Sequence, residues 1–303
     1  MRALAIVLSL LPALASAAPR AKKARPQQEA RLGGAAKAFA KARVVFHAPA
    51  DRARLPEGEV TVRLAVTGYP LAGGAHVHLI ADNFPALQVD DVSQPLKLRG
   101  IAPGPHVLRA VLCRPWHEVV KARHAFALVR FWSGPKPAGR AGALAEQRAW
   151  PNPRRPLLTY VLPIGEAPPG APALATAPEP AVETASQVQV EAPMEPTAPA
   201  EPAAKSVATP ITAGRADPKR PGPPAPGPPA LDFYLSSAKL ARRGFKVLVV
   251  LDRYEMPLTK TWEPLRLHRA KAGRHHIHVD LLDRMGLKVH GPLNRTDRTF
   301  SVR

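Results

Sequence analysis

An internal duplication constrains the fold of this chain more than any other feature of its sequence. The stretch AHVHLIADNFPALQVDDVSQPLKLRGIAPGPHVLRAVLC, which begins at Ala75, recurs from Phe245 as FKVLVVLDRYEMPLTKTWEPLRLHRAKAGRHHIHVDLL. The matched positions pair Asp82 with Asp252, Gly104 with Gly273, and His106 with His275. Because a repeat of this length is the signature of one structural unit used twice, we expect two copies of a single fold.

The first copy predicts an all-β domain over residues 43–132. Its short apolar runs are separated by Gly and Pro turns at intervals of roughly ten residues, which is typical of an immunoglobulin-like sandwich. The expected strands lie near 43–47, 59–67, 75–81, 86–89, 95–100, 105–113 and 124–132. The predicted fold class is therefore all-β, with two immunoglobulin-like β-sandwich domains produced by the duplication.

A long segment rich in Pro and Ala, residues 163–229, predicts a disordered insertion, because it contains too few large apolar side chains to build a core. The duplication places this insertion inside the second domain. The run LLTYVL at 157–162 matches the first strand of copy one, and LDFYL follows the insertion. We therefore expect domain two to comprise 156–162 plus 230–303, with 133–155 as the interdomain connection.

The N-terminus has the features of a secretory signal over residues 1–17. Arg2 supplies the positive charge, Ala3 to Leu14 is a short apolar core, and small residues follow at 15–17. The alternative is an uncleaved anchor. Residues 18–42 form a basic arm that we expect to be disordered. No later segment is apolar enough to cross a bilayer, so the expected location is periplasmic or secreted.

The net charge of +20 and the pI of about 10.9 favour anionic partners. Outside the cytoplasm, the expected partners are an anionic cell-wall polymer or envelope proteins, and nucleic acid is not expected. The alternative is that the charge serves solubility and reflects an arginine-rich composition.

A candidate metal site involves His76, His78 and His124. Residues two apart on a strand share one face, and Val77 and Leu79 are the better core side chains, so both histidines are expected to point outward. His124 begins the last strand of the predicted sandwich and is expected to reach the same exposed face. Neutral imidazoles at this spacing bind Cu or Zn, and no other cofactor is predicted. The alternative is an ordinary polar face.

A polar and aromatic cluster formed by Arg114, Trp116, His117 and Glu118 follows the penultimate strand of copy one. Loops at this place often carry recognition residues, so a recognition loop is expected, with Trp116 capping the core as the alternative. The chain contains no nucleophile motif, no recognisable carboxylate pair and no phosphate-binding glycine loop. We therefore expect a protein that is not an enzyme.

Three further residues have structural predictions. His106 and His275 enter equivalent strands directly after a turn, and we expect each imidazole to bond to backbone at that point. Cys113 is the only cysteine, so it cannot form an intrachain disulfide and is expected to pack as a small apolar residue. In the strand that follows His106, alternation predicts that Arg109 faces water.

The outward face of the first sandwich is more apolar than a solvated sheet requires. Its apolar positions are Ile80, Val107, Val111, Phe126 and Leu128. Such a face indicates either a partner surface or the place where the second domain docks.

The blocks VVFHAPADRA, AHVHLIADN and RPWHE, together with PLLTYVLPIGEA and GPLNRTDRTFSV in the second half, resemble uncharacterised secreted bacterial proteins with Ig-like modules. The resemblance covers most of 43–166 and 230–303. It implies the fold and an envelope location and no chemistry. The expected function is a non-enzymatic binding or scaffold protein of the bacterial cell envelope, and the alternative is a periplasmic protein that binds metal through His76 and His78.

Overall fold

A computed structural model describes residues 39–175 and 227–303. The expected signal peptide, the basic arm up to residue 38 and residues 176–226 of the expected insertion lie outside this part of the chain. Within the described ranges, no helix has both the length and the apolar character needed to cross a bilayer.

Two sheets form the first sandwich. Its strands are β1 (Arg43–Ala48), β2 (Ala53–Leu55), β3 (Gly58–Thr67), β4 (His76–Ala81), β5 (Leu87–Val89), β6 (Leu96–Ile101), β7 (Gly104–Cys113), β8 (Phe126–Ser133) and the later β10 (Ala173–Leu174). One sheet has the order β1-β3-β6-β10 and the other has the order β2-β8-β7-β4-β5. All the pairings are antiparallel except that of β2 with β8.

Strand alternation builds the core between these two sheets. Val60, Val62 and Leu64 of β3 point inward and meet Val77 and Leu79 of β4. Each is at most 3 % exposed. Burying a Val or Leu side chain contributes about 1.5–3 kcal/mol, so the period-two pattern is the main source of stability for this sandwich.

The second sandwich repeats the arrangement after a connecting helix. Its elements are α1 (Gly139–Ala149), β9 (Leu157–Leu162), β11 (Ala230–Ser236), β12 (Lys246–Leu251), β13 (Tyr254–Glu255), β14 (Leu265–Arg266), β15 (Gly273–Leu282) and β16 (Arg295–Val302). One sheet has the order β14-β11-β9 and the other β13-β12-β15-β16. Leu158, Phe233, Val249 and Val279 belong to the core between them. The all-β fold with two sandwiches is confirmed.

The strand pairing expected across the insertion is also confirmed. β9 pairs antiparallel with β11, and Tyr160 stands opposite Phe233 in the register. Residues on both sides of the long Pro-rich segment therefore belong to one sheet. This is possible because the entropy of loop closure grows only slowly with loop length.

The connection 133–155 contains a helix that the sequence did not predict, α1, whose sequence GRAGALAEQRA is rich in good helix formers. Two boundary predictions need correction. The start of the expected disordered insertion is ordered, because Ala173 and Leu174 pair with β6 of the first sandwich. The end of the basic arm is ordered as well, because Phe39 is 5 % exposed and its ring lies edge-on against Tyr69.

The outward apolar face of the first sandwich is where the second sandwich docks. Ile80 and Val111 pack with Val161 of β9 and Tyr234 of β11. The ring of Tyr234 stacks on Phe126 with centroids 4.8 Å apart and planes 9° from parallel. Of the two interpretations offered by the sequence, this contact supports docking of the second domain.

Docking also overturns the prediction that Arg109 faces water. Its side chain points away from the first core, as alternation requires, but it is only 1 % exposed. Its guanidinium donates to Thr159 Oγ1 at 3.1 Å and to the backbone oxygen of Asp82. Alternation predicts which face a residue occupies, whereas a second layer determines whether that face meets water.

Candidate metal centre

Three imidazole rings converge at the start of β4. His76 Nε2 lies 3.0 Å from His78 Nε2 and 3.0 Å from His117 Nδ1, and His78 Nε2 lies 3.2 Å from His117 Nδ1. The three nitrogens form a nearly equilateral triangle.

Strand geometry places two of these rings side by side. His76 and His78 are two residues apart on β4, so their side chains share the face that points away from the first core. Directly opposite them on β7 stand Cys113 and Val111. The shared face of the two histidines is the one that the sequence predicts.

The loop after β7 supplies the third ring. It closes on itself, because His117 N donates to Arg114 O at 2.8 Å and Arg114 N donates to Glu118 O at 2.8 Å. His117 has φ 63°, a left-handed conformation that costs a non-glycine residue about 1–2 kcal/mol. Strained backbone of this kind concentrates at functional sites.

The second copy makes the same turn without a histidine. Asp283 N donates to Leu287 O at 2.8 Å, and Gly286 N donates to Asp283 O at 3.1 Å. Gly286 stands where copy one has His117 and has φ 87°, which glycine adopts without strain. The turn therefore does not require an imidazole.

A glycine before β4 lets this loop approach closely. Gly74 has φ 85°, and a Cβ atom added there would lie 3.1 Å from the Cβ of Pro115. Pro115 is two residues from His117, so this close approach helps to hold the loop over β4.

The structure corrects the exposed three-histidine face that the sequence predicts. His76 and His78 are 0 % exposed, because the outer face of their sheet is covered rather than solvated. His124 is exposed and precedes β8, which is two strands away from β4, and it makes no contact with either ring. His117, predicted for recognition, takes the place expected for His124. Contact across the sheet depends on loop conformation, which alternation does not predict.

The local hydrogen bonds define the available lone pairs. His76 Nδ1 donates to Gly74 O at 2.8 Å, so a ring with one hydrogen presents an unprotonated Nε2 to the other two imidazoles. Burial, followed by the neighbouring His76 and His117, lowers the pKa of His78 to about 3. Burial is also the main cause that lowers the pKa of His117. These two rings are therefore neutral at pH 7, which is the form that binds metals.

Counting protons shows that the triangle is unsatisfied as it stands. With the His76 hydrogen on Nδ1, neutral His78 and His117 supply at most two N–H groups to three close nitrogen contacts. In at least one of the three contacts, the two nitrogens are then both protonated or both unprotonated, so they cannot form a hydrogen bond. His78 Nδ1 is also buried without a partner within the described residues, and an ion bound at Nε2 would not supply one. Buried polar atoms are normally paired, so this cluster calls for a further group.

A metal ion fits this requirement. With metal–nitrogen distances of about 2.0 Å, two ligand nitrogens of a tetrahedral site are separated by about 3.3 Å. The observed separations of 3.0–3.2 Å are a few tenths of an ångström shorter. The spacing of the three nitrogens is therefore close to that of three ligands of one ion.

The other residues of the expected recognition loop bind one another. Arg114 Nη1 lies 3.5 Å from Glu118 Oε1, and Trp116 Nε1 donates to Glu118 Oε2 at 2.8 Å. The Arg114 guanidinium also stands 5.1 Å from the ring centroid of Phe39. These contacts give Arg114, Trp116 and Glu118 a structural role in holding the loop that carries His117, and the recognition role stays a prediction.

The second sandwich fixes the far end of this loop. Val119 N donates to Asp232 Oδ2 at 2.8 Å, and Lys121 Nζ donates to Asp232 Oδ1 at 2.5 Å. Asp232 belongs to β11 and is 0 % exposed. Sequence reasoning missed this carboxylate, because nothing in its neighbourhood distinguishes it from an ordinary strand residue.

His106 and His275 have the structural role that the sequence predicts. His106 Nε2 donates to Ala102 O at 2.7 Å and Nδ1 to Asp82 Oδ2 at 2.7 Å. His275 repeats the pattern, with Lys271 O at 2.8 Å and Asp252 Oδ2 at 3.0 Å. The duplicated Asp and His positions thus form the same hydrogen-bonded Asp–His pair in each copy.

No protein-family model matches this chain, and no curated protein matches it. Among solved structures, the chain is similar to the fibronectin(III)-like modules of CbhA from Clostridium thermocellum. The identity is 9 %, the match covers 86 % of this chain and 94 % of that one, and the TM-score is 0.25. Since so low a score carries no argument, the β-sandwich class rests on the four sheets and two cores described above.

Proposed function

We propose that this protein binds one transition-metal ion through His76 Nε2, His78 Nε2 and His117 Nδ1, and that it is a non-enzymatic metal-binding protein. The observation that carries this proposal is the triangle of ring nitrogens, 3.0–3.2 Å apart, with too few protons for its three contacts. The apolar N-terminal segment that resembles a secretory signal supports a periplasmic or secreted location.

The donor set favours Cu or Zn. Imidazole nitrogen suits Zn, Cu and Ni, whereas Mg and Ca prefer carboxylate, carbonyl and water oxygens. The three converging side chains are all imidazoles.

Burial favours binding over catalysis. His76 and His78 are 0 % exposed, and His117 is half-buried. A catalytic metal keeps an open position that a substrate can reach, whereas a storage or structural site is closed. Of the three rings, only that of His117 on the loop over β4 is partly exposed.

Calorimetric titration of the metal-stripped protein with Zn(II) and Cu(II) tests the proposal. We expect one equivalent to bind, and we expect His78→Ala and His117→Ala each to reduce the affinity by at least tenfold. His124→Ala is the matched control, because it removes an exposed imidazole outside the cluster. Binding that His117→Ala leaves unchanged, or that His124→Ala removes, contradicts the assignment.

Envelope binding is a second proposal, supported by the net charge of +20. The most concentrated part of this charge is the basic arm of residues 18–42, in which seven Lys and Arg residues face one Glu and most of which lies outside the described residues. Cosedimentation with purified cell wall at increasing salt concentration tests it. Salt screens the attraction between exposed charges, so binding of this kind should weaken as the ionic strength rises. Deleting residues 18–38 should abolish the salt-sensitive binding. A deletion without effect would refute this proposal and leave the metal site untouched.

A further inference from the structure

Cys113 lies beside two of the three imidazoles, those of His76 and His78. It stands directly opposite His76 in the pairing of β4 with β7, so both side chains occupy the same face of the sheet. The sulfur of Cys113 and the ligand nitrogens of His76 and His78 all lie within 4.8 Å of one another.

The sulfur has no other strong partner. Cys113 is 0 % exposed, and its Sγ contacts only backbone groups: Val111 O at 3.7 Å and the backbone N–H of His78. Val119 and Tyr234 belong to the same apolar cluster. Burial is the main cause that raises the pKa of its thiol, so the group is protonated when the site is empty. Cys113 therefore packs as a small apolar residue, as expected, but the sequence did not predict that it would lie beside the histidines.

The second copy provides an internal comparison. The positions equivalent to His76, His78, Cys113 and His117 are Lys246, Leu248, Leu282 and Gly286. Copy two keeps the strands and the turn but lacks every one of the four donor atoms. Since the fold forms without these side chains, the presence of all four in copy one points to a shared ligand.

We propose that Cys113 is the fourth ligand of the metal centre, so that three imidazoles and one thiolate hold a borderline or soft ion such as Zn(II) or Cu(I). This inference rests on the proposed function. As the sulfur–metal bond forms, the thiol proton leaves to solvent and the thiolate electron pair enters the metal coordination shell. No change in oxidation state is involved.

The geometry allows this ligand set with a local adjustment. In a tetrahedral site with metal–nitrogen distances of about 2.0 Å and a metal–sulfur distance of about 2.3 Å, nitrogen and sulfur are separated by about 3.5 Å. The ligand atoms of His76, His78 and Cys113 lie within 4.8 Å of one another, so Sγ has to approach the two nitrogens when the ion binds. A thiolate in the set selects Zn(II) and Cu(I) over hard cations.

Absorption spectroscopy with Co(II) as the probe tests the sulfur ligand. Co(II) takes the tetrahedral N and S sites of Zn(II), and a bound thiolate adds an intense sulfur-to-cobalt band in the near ultraviolet. We expect this band in the wild-type protein at one equivalent of Co(II). In Cys113→Ser the band should disappear, while the weaker visible bands of bound Co(II) persist.

The outcomes separate the two proposals. Visible bands of tetrahedral Co(II) without the near-ultraviolet band in the wild type overturn the cysteine ligand and retain the three-histidine site. The absence of any Co(II) spectrum, together with no binding of Zn(II), overturns both. The decisive spectrum is that of the wild type, so the test does not depend on whether Cys113→Ser folds. A thermal unfolding midpoint for that variant establishes whether it is a valid control.

Discussion

The carboxylate of Asp232, in the second sandwich, accepts a hydrogen bond from the backbone N–H of Val119 in the first, with 2.8 Å between Oδ2 and N. Val119 follows His117 by two residues, and Lys121 donates to the other carboxylate oxygen at 2.5 Å. The second domain thereby holds the end of the loop that carries the third imidazole. The cluster belongs to copy one, but its geometry depends on copy two.

Removing this carboxylate should affect stability and metal affinity together. Asp232→Ala leaves the ammonium of Lys121 and the N–H of Val119 buried without a partner, and breaking such a pair costs about 3–5 kcal/mol. We expect a loss of this size in the free energy of unfolding measured with urea, together with weaker metal binding although no ligand has changed. Arg274→Ala, which removes an exposed ion pair with Glu166, is the control and should cost less than about 1 kcal/mol. Equal losses for the two variants would show that Asp232 does not hold the loop.

His117→Gly should separate function from stability. Glycine removes the strain of φ 63° at this position and reproduces the turn that Gly286 makes in copy two. Relief of the strain and the larger backbone entropy of the unfolded chain oppose each other, so we expect the free energy of unfolding of the metal-free protein to stay within about 1 kcal/mol of wild type. Metal affinity should fall sharply. Thermal unfolding and calorimetry measure the two effects, and a large loss of stability would mean that the ring is mainly a packing element.

The two Asp–His pairs predict that the free energy of unfolding depends on pH. Burial is the largest single cause and lowers the pKa of His106, but the hydrogen bond and charge of Asp82, together with the hydrogen bond to Ala102 O, outweigh it, and the net shift is upward. For His275, the hydrogen bond with Asp252 is the largest cause and also raises the pKa. A raised folded-state pKa adds stability that is fully present below the unfolded value of about 6.5 and is lost as the pH rises through the folded value. Above the unfolded value, the free energy of unfolding contributed by these two histidines should therefore decrease as the pH rises. The lowered pKa values of His78 and His117 add the opposite slope at lower pH, so the effect of each pair is the difference between the wild-type and variant profiles.

Urea unfolding of the metal-free protein between about pH 5.5 and pH 8.5 measures this slope around the unfolded histidine value. His106→Gln and His275→Gln should each flatten the profile, because neither variant carries the titrating group. His47→Gln is the control, since this residue is exposed on β1. If neither His106→Gln nor His275→Gln changes the profile, these two histidines are not the source of the pH dependence.

The aromatic contact between the sandwiches predicts a graded response at Tyr234. Its hydroxyl donates to Ala122 O at 2.9 Å, so Tyr234→Phe should cost about 1 kcal/mol through the lost hydrogen bond. Tyr234→Ala also removes the ring that stacks on Phe126 and should cost about 3–5 kcal/mol. Chemical denaturation gives both values. Similar costs for the two variants would place the stabilisation in the hydroxyl rather than in the ring.

The duplication and the strand alternation made much of the fold predictable. The pairing of β9 with β11 across the insertion follows from aligning the two copies, and the common face of His76 and His78 follows from their spacing of two residues. The bonding of His106 and His275 at the strand entry follows from their equivalent positions after a turn. Helix α1 was missed, because one short helix between sandwiches carries no long-range pattern.

The sequence by itself therefore determined the strands, their faces and the two-copy plan, since these depend on local spacing and on the repeat. Only the tertiary structure decided what covers each face. In the folded protein, Arg109 is buried and donates a hydrogen bond to Thr159. His117, rather than His124, contacts His76 and His78. These contacts join residues far apart in sequence, and they depend on how a loop closes and on how two sheets stack. No local pattern encodes such a contact, because the side chains involved acquire their environment only when the layers come together.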